Sequence, residues 1–261
     1  MAQGKYITFV DADDYLEPDA LQYMVSTIEN VKTDVAGFGF CENDEKDNRI
    51  PFRRFYTWKD KDLIIRNIIS NEDNRLNGLF MCMVWAKIYK REFLIHNKMY
   101  FLQDIAPNED LFYNISILQK TERYYVDNKI VYHYIYYSDS AIHKFTNRHI
   151  SVAINIMPKL EKYVACYYPD NNVFYDAIVR RAYYYVRVNK EIYFTHTKNT
   201  KTFWELKSEM DYFLGHPNIS KWLKKLKLSD AEDMIDFKNR LLLKLHIYWI
   251  FLITERRKKG G

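Results

Sequence analysis

The chain has 261 residues, 48% of them hydrophobic, enough for one large or two modest cores, and nothing in its composition suggests disorder. Its three cysteines, Cys41, Cys82 and Cys166, are odd in number and far apart, so neither a disulfide framework nor a Cys-x-x-Cys metal site is expected and a reducing compartment is the default. The net charge of +5 conceals a division: residues 1–145 hold 18 Lys and Arg against 22 Asp and Glu, whereas residues 146–261 hold 21 against 12. The basic half suits an anionic partner, and its plainer reading is a solvated helix surface.

In chain order, residues 1–10 lack the basic start and long apolar run of a secretory leader. Residues 4–16 read as an apolar strand, Tyr6–Val10, that ends in Asp11, Asp13 and Asp14. Ligands of open α/β sheets gather at such strand ends, so Asp11 and Asp13 are placed to hold a hard cation and, through it, a phosphate. Glu17-Pro18-Asp19 opens a helix with Leu21, Met24, Val25 and Ile28 on its apolar face. A strand follows at 34–40, then a polar hairpin tip or active-site flap at 42–49, then a helix from Trp58 to Ser70 carried by Leu63, Ile64, Ile68 and Ile69. Met83–Phe93 holds Trp85 and Lys87. Asn108-Glu109-Asp110 opens a helix with Leu111, Ile115 and Leu118 on one face, and two aromatic strands, 124–126 and 130–137, lead to Ser138 and Ser140. From about Thr146 the pattern is helical, over 150–164, 173–193, 202–214, 219–228 and 231–254.

Four of these pieces, the Asp-x-Asp strand end, the Trp85-x-Lys87-x-Tyr89 segment, the Glu109-Asp110 pair and the Tyr-rich strand before Ser138, resemble in order and spacing the family 2 glycosyltransferases. The resemblance implies an α/β fold, a partial GT-A-like (Rossmann-like) mixed sheet followed by a mostly helical C-terminal region, with a truncated catalytic domain over 1–145 and a helical domain over 146–261. It implies inverting, metal-dependent transfer of a sugar from a nucleotide-diphosphate sugar to a glycan or lipid-linked acceptor in surface polysaccharide synthesis. Family members carry strand-helix units for base and ribose ahead of the Asp-x-Asp strand. Here that strand begins near residue 4, so a truncated chain is expected, with an open edge at Tyr6–Val10 that invites a partner fragment or self-association.

The chemistry assigns roles. Asp13 is the expected principal ligand of Mg²⁺ or Mn²⁺, with Asp11 assisting, because both ions prefer oxygen donors and offset charge on a departing diphosphate. By resemblance, Asp110 is the base for the acceptor hydroxyl and Glu109 the fallback; the helix dipole lowers their pKa while neighbouring acids oppose that shift. Trp85 is expected to stack on an acceptor sugar, Lys87 to meet a phosphate, and His133 or His143 to approach the metal or to pack in the core. The plainer readings are an acidic strand end capping a helix, two acids complementing a dipole, and a core tryptophan beside a surface lysine.

Two alternatives differ in class. One is a catalytically silent remnant or binding scaffold. The other is a phosphatase of the haloacid-dehalogenase type with Asp11 as nucleophile and Asp13 as acid, although Asp14-Tyr15 stands where those proteins have Gly-Thr or Gly-Val. No RNA- or DNA-binding motif is present, so nucleic acid is not an expected partner. The expected location is cytoplasmic, peripheral at an anionic membrane surface: Leu241–Ile253 falls short of the roughly 20 apolar residues of a membrane span, and it either lies in the interface, with Tyr248 and Trp249 at headgroup level, or is a buried helix packing under the domain.

Overall fold

The structure is a computed structural model that describes residues 2–43, 52–71, 75–76, 79–80, 82–106, 108–135 and 145–259. The chain divides into two compact units, 1–137 and 138–261.

In the first unit, β1 (Tyr6–Ile7), β2 (Tyr15–Leu16), β3 (Val35–Glu42), β4 (Arg53–Tyr56), β7 (Lys87–Lys90) and β8 (Tyr124–Tyr134) form one mixed sheet, while β5 (Arg75–Leu76) and β6 (Leu79–Phe80) pair antiparallel as a separate two-stranded sheet. The order is β1-β7-β3-β8-β2, with β4 also on β8. β3 and β8 run parallel at its centre and the other pairs are antiparallel. Helix α1 (Ala20–Val31) covers the sheet through Ala20, Met24 and Ile28, which meet Phe38, Phe40, Trp85, Ile88 and Tyr132. Leu21 points to solvent instead, because the buried stripe begins one residue earlier than the apolar repeat suggests. Helix α2 (Trp58–Ser70) matches its expected bounds; Thr57 and Asp60 form a capping box, and Ile64, Ile65, Ile68 and Ile69 are buried while Leu63 is exposed. α2 packs on α4 (Glu109–Lys120); α3 (Arg91–His96) and a 3₁₀ turn at Gln103–Ile105 lie between β7 and α4.

The aromatic strands expected at 124–126 and 130–137 are one strand, β8. Its interruption is a bulge: Phe38 pairs with Asp127 and Gly39 with Ile130, leaving Asn128 and Lys129 extra. A Cβ on Gly39 would lie 2.2 Å from the Asn128 carbonyl oxygen, so the bulge requires glycine there. Asp127, buried at the bulge, accepts from Tyr23 Oη at 2.6 Å and pairs with Arg53 Nε at 2.9 Å. The apolar run after residue 5 is a strand only over Tyr6–Ile7; from Thr8 the chain leaves β7 and turns toward β2.

The second unit is helical: α5 (Arg148–Tyr167), α6 (Asn172–Asn189) continued by a π-helical segment Lys190–Phe194, α7 (Phe203–Gly215), α8 (Pro217–Leu223), α9 (Met234–Lys244) and α10 (Ile250–Lys259). Ile156, Met157, Leu160, Phe174, Ile178 and Trp222 are buried. The helix expected over 231–254 is two helices, broken where His246 takes a left-handed conformation, φ 57°. α9 buries polar side chains beside Leu242. Asp236, Asn239 and Arg240 face inward, Arg240 Nε pairs with Asp236 Oδ2 at 2.8 Å and Tyr183 donates to the same carboxylate, while Met234 and Ile235 are 78% and 72% exposed. Tyr248, expected at a membrane interface, is 2% exposed, and Phe251 and Leu252 are buried with it. Their burial and the break at His246 leave no continuous interfacial helix over Leu241–Ile253. Among the described residues no helix is long and apolar enough to cross a membrane.

Candidate active site

Beyond β1, Phe9 is wedged edge-on among Tyr89, Phe101 and Tyr113, at centroid distances of 5.7, 5.4 and 5.9 Å. This anchor fixes the start of the acidic turn. The turn closes through the Asp14 N–H donating to the Asp11 carbonyl at 3.2 Å, and β2 then pairs with β8, Tyr15 opposite His133. Tyr132 pins the turn from β8: its Oη accepts the Asp11 N–H at 3.1 Å and donates to Asp14 Oδ2 at 2.6 Å. The other Asp14 oxygen accepts the Ile135 N–H at 2.9 Å. Asp14 is thereby structural. Asp11 and Asp13 are exposed and spend neither carboxylate on a described neighbour.

The second set of acids comes from the first turn of α4, where Glu109 and Asp110 lie at the positive end of the helix dipole. Asn114, one turn on, donates to the carbonyls of Asp110 and Cys82, both at 2.8 Å, and so ties the helix start to the segment before β7. Asp110 Oδ2 faces the Val84 N–H at 3.4 Å. Burial, followed by the Glu109 charge, pushes the Asp110 carboxyl up to about 6 against the opposing pull of Lys87 and the Val84 N–H, and Asp11 adds to the rise. Asp11 is in turn held above the usual carboxylate range by desolvation first, then by Asp14, Asp13 and Glu109. The strand-end acids and the helix acids therefore feel one another's charge across one site.

Lys87 sits beneath this site. It is 3% exposed, donates to the Met83 carbonyl, and is drawn down to about 8 by burial, with Cys82 and Asp110 opposing. Its burial makes it a partner of Asp110 rather than a surface cation. Trp85 is 4% exposed, stacked on Tyr132 at 4.7 Å and Tyr134 at 5.8 Å with Phe40 edge-on at 5.1 Å. That packing makes it a core residue and overturns the expectation of a sugar platform. His133 is engaged on both ring nitrogens, 2.9 Å from Cys41 Sγ and 2.7 Å from Glu17 Oε1, and is stacked on Tyr15 at 4.3 Å. It packs rather than ligates. His143, Ser138, Ser140 and most of the expected flap lie outside the described residues.

No group of three His, Cys, Asp or Glu side chains among the described residues is arranged to hold a metal ion. Magnesium is commonly held by only one or two carboxylates together with substrate phosphates and water. The residues present fit a divalent cation on two observations: Asp11 and Asp13 are uncommitted, and Glu109 Oε2 is a buried acceptor with no hydrogen-bond partner among the described residues. Sequence reasoning missed Tyr132, which fixes the turn from 121 positions away, and its only signal was the tyrosine-rich strand itself. Asp14, on the plainer account part of an acidic strand end capping a helix, instead holds Tyr132 and the Ile135 N–H.

Structural comparison settles the fold. The crystal structure of S. aureus TarS 1-349 in complex with UDP-GlcNAc superposes over 98% of this chain and 69% of its own, with a TM-score of 0.53 at 16% identity; S. aureus TarS 1-349 alone gives 0.53 at 14%, over 98% and 68%. The chain has an α/β fold, a partial GT-A-like mixed sheet followed by a helical region. Residues 1–97 match the family model of Glycosyl transferase family 2. An uncharacterized glycosyltransferase, EpsJ of Bacillus subtilis (strain 168), is 27% identical over 128 residues, 47% of this chain and 35% of the relative. The chain thus spans about a third of the curated relative it matches.

Proposed function

We propose that this chain moves a sugar from a nucleotide-diphosphate sugar to a hydroxyl of a glycan or lipid-linked acceptor, with inversion, in surface polysaccharide synthesis at the cytoplasmic side of a membrane. The observation that carries the reading is the pairing of two uncommitted strand-end carboxylates, Asp11 and Asp13, with Asp110 at the start of α4, whose carboxyl is pushed up to about 6 by burial and then by the Glu109 charge. A carboxylate there is a stronger base than an ordinary aspartate and is still largely ionised near neutral pH. The family 2 match and the likeness to a protein solved with UDP-GlcNAc support a nucleotide-sugar donor.

In this reading residues 1–145 are catalytic and 146–261 form the helical domain. Asp13 is the principal ligand of Mg²⁺ or Mn²⁺ and Asp11 assists. Such an ion, when bound, supplies positive charge to the departing diphosphate. Asp110 takes the proton of the acceptor hydroxyl as its oxygen attacks the anomeric carbon opposite the leaving group, which inverts that centre. Glu109 raises the basicity of Asp110, and Lys87 limits the rise.

The test measures nucleoside diphosphate release across a panel of UDP- and GDP-sugars, together with donor affinity. Asp110→Asn should lose about 10²–10⁴-fold in turnover with donor affinity kept, while Asp13→Ala loses both metal response and donor binding. Full activity of Asp110→Asn, or transfer that persists in excess chelator, overturns the assignment. A phosphoaspartate trapped at Asp11 would instead establish the phosphatase chemistry.

A further inference from the structure

Outside the acidic site, the second unit holds a cavity of about 530 Å³ between the end of α7, the end of α8 and the α9–α10 connection. Leu214, Leu223, Leu243, Tyr248 and Trp249 supply an apolar and aromatic wall, and Lys224, Lys244 and His246 supply nitrogen donors, all three exposed to solvent. Asp211, the carboxylate among the described lining residues, is already paired with Lys207 one turn earlier at 2.5 Å. Lys224 and Lys244 have no ion pair among the described residues, so the lining is left with positive charge and nothing to offset it.

Two further observations agree. His246 caps the end of α9 with a left-handed backbone, φ 57°, the Ile247 N–H donating to the Leu242 carbonyl at 3.0 Å, and this turn brings its side chain to the rim. Leu245, between the two rim residues Lys244 and His246, is 56% exposed and adds apolar surface beside them. The charge excess of residues 146–261 would draw an anion toward it.

We propose that this cavity binds a phosphate-bearing amphiphile, with the apolar chain against Leu214, Leu223 and Trp249 and the phosphate on Lys224, Lys244 and His246. A simple inorganic anion would leave the apolar wall unused, and a neutral amphiphile would leave the cations unpaired; one molecule with both parts satisfies both. The inference does not depend on the transferase reading, because binding is measured without donor or acceptor.

Calorimetric titration of the full chain tests it, with dodecyl phosphate below its micelle concentration, dodecyl maltoside as the neutral counterpart and inorganic phosphate as the headgroup alone. Dodecyl phosphate should bind one per chain, at least about tenfold more tightly than either control. The pair Lys224→Gln and Lys244→Gln should weaken it by about tenfold, since charge-assisted contacts to the phosphate are lost. Leu214→Trp, which fills the cavity, should block it with the helical circular dichroism retained. If that variant fails to fold, the lysine pair still decides. Equal binding of dodecyl maltoside, equal binding of inorganic phosphate, or lysine variants with unchanged affinity would each overturn the proposal. Sedimentation with vesicles of phosphatidylcholine, with and without phosphatidic acid, identifies the source: recruitment only by phosphatidic acid supports a bilayer headgroup, and binding of dodecyl phosphate without recruitment supports a free amphiphile.

Discussion

Lys87 and Asp110 act on each other's charge in a buried space where neither is fully solvated: Lys87 opposes the rise of the Asp110 carboxyl, and Asp110 opposes the fall of the Lys87 amine. Removing one should therefore move the other. Lys87→Met takes away the cation that restrains Asp110, so the folded-state pKa of Asp110 should climb beyond about 6. The base works only when ionised, and turnover falls as pH drops through that value. The acid limb of the pH–turnover profile should accordingly shift to higher pH in Lys87→Met. A drop in turnover with the limb unmoved would give Lys87 another role.

The same raised carboxyl carries a stability consequence opposite in sign to its catalytic one. Between the unfolded value of 3.8 and the folded value of about 6 the native state binds more protons than the unfolded chain, so stability present below pH 4 is lost as pH rises through 6. Asp110→Asn removes that loss. It should stabilise the protein at pH 7, by at most about 3 kcal/mol, and the gain should vanish near pH 4. Urea unfolding of both proteins at the two pH values measures it.

The local parts of this fold were legible in the sequence and the non-local parts were not. α2 could be bounded because its capping box and isoleucine repeat are both local. β8 read as two strands because Asp127-Asn128-Lys129 has the composition of a turn; only partners distant in sequence make it a bulge, with Phe52 and Asn128 exchanging hydrogen bonds at 2.8 and 3.0 Å. The inward face of α9 was not legible because it includes an ion pair satisfied by Tyr183, which no apolar periodicity can show. At the site, the acidic residues stood out as short motifs. Their convergence and the basicity of Asp110 arise from burial, and the sequence carries no direct record of that.

The bulge supplies a test of its own. Gly39→Ala would drive a methyl group into the Asn128 carbonyl, a backbone atom that cannot swing aside, so the crossing of β3 and β8 must shift. A loss of about 1–3 kcal/mol is expected, whereas Gly215→Ala, which meets nothing within 4 Å, should be close to neutral. Thermal unfolding of the two variants side by side checks the contrast.

Tyr132 offers a way to disturb the acidic turn without touching an acid. Its ring, stacked on Trp85, belongs to the core and survives in Tyr132→Phe; the hydroxyl that bridges the Asp11 N–H and the Asp14 carboxylate does not. Leaving those two groups without their partner should cost about 1–3 kcal/mol, less where water reaches the turn. The larger effect should be on the site, because the turn positions Asp11 and Asp13. Donor affinity should weaken by about tenfold while the pH limb set by Asp110 stays near 6, since α4 and β7 are untouched. Measuring donor binding and the pH profile on the same variant separates these. Unchanged affinity would show that the turn does not bear on the donor, and a shifted limb would show that Tyr132 acts on Asp110 as well.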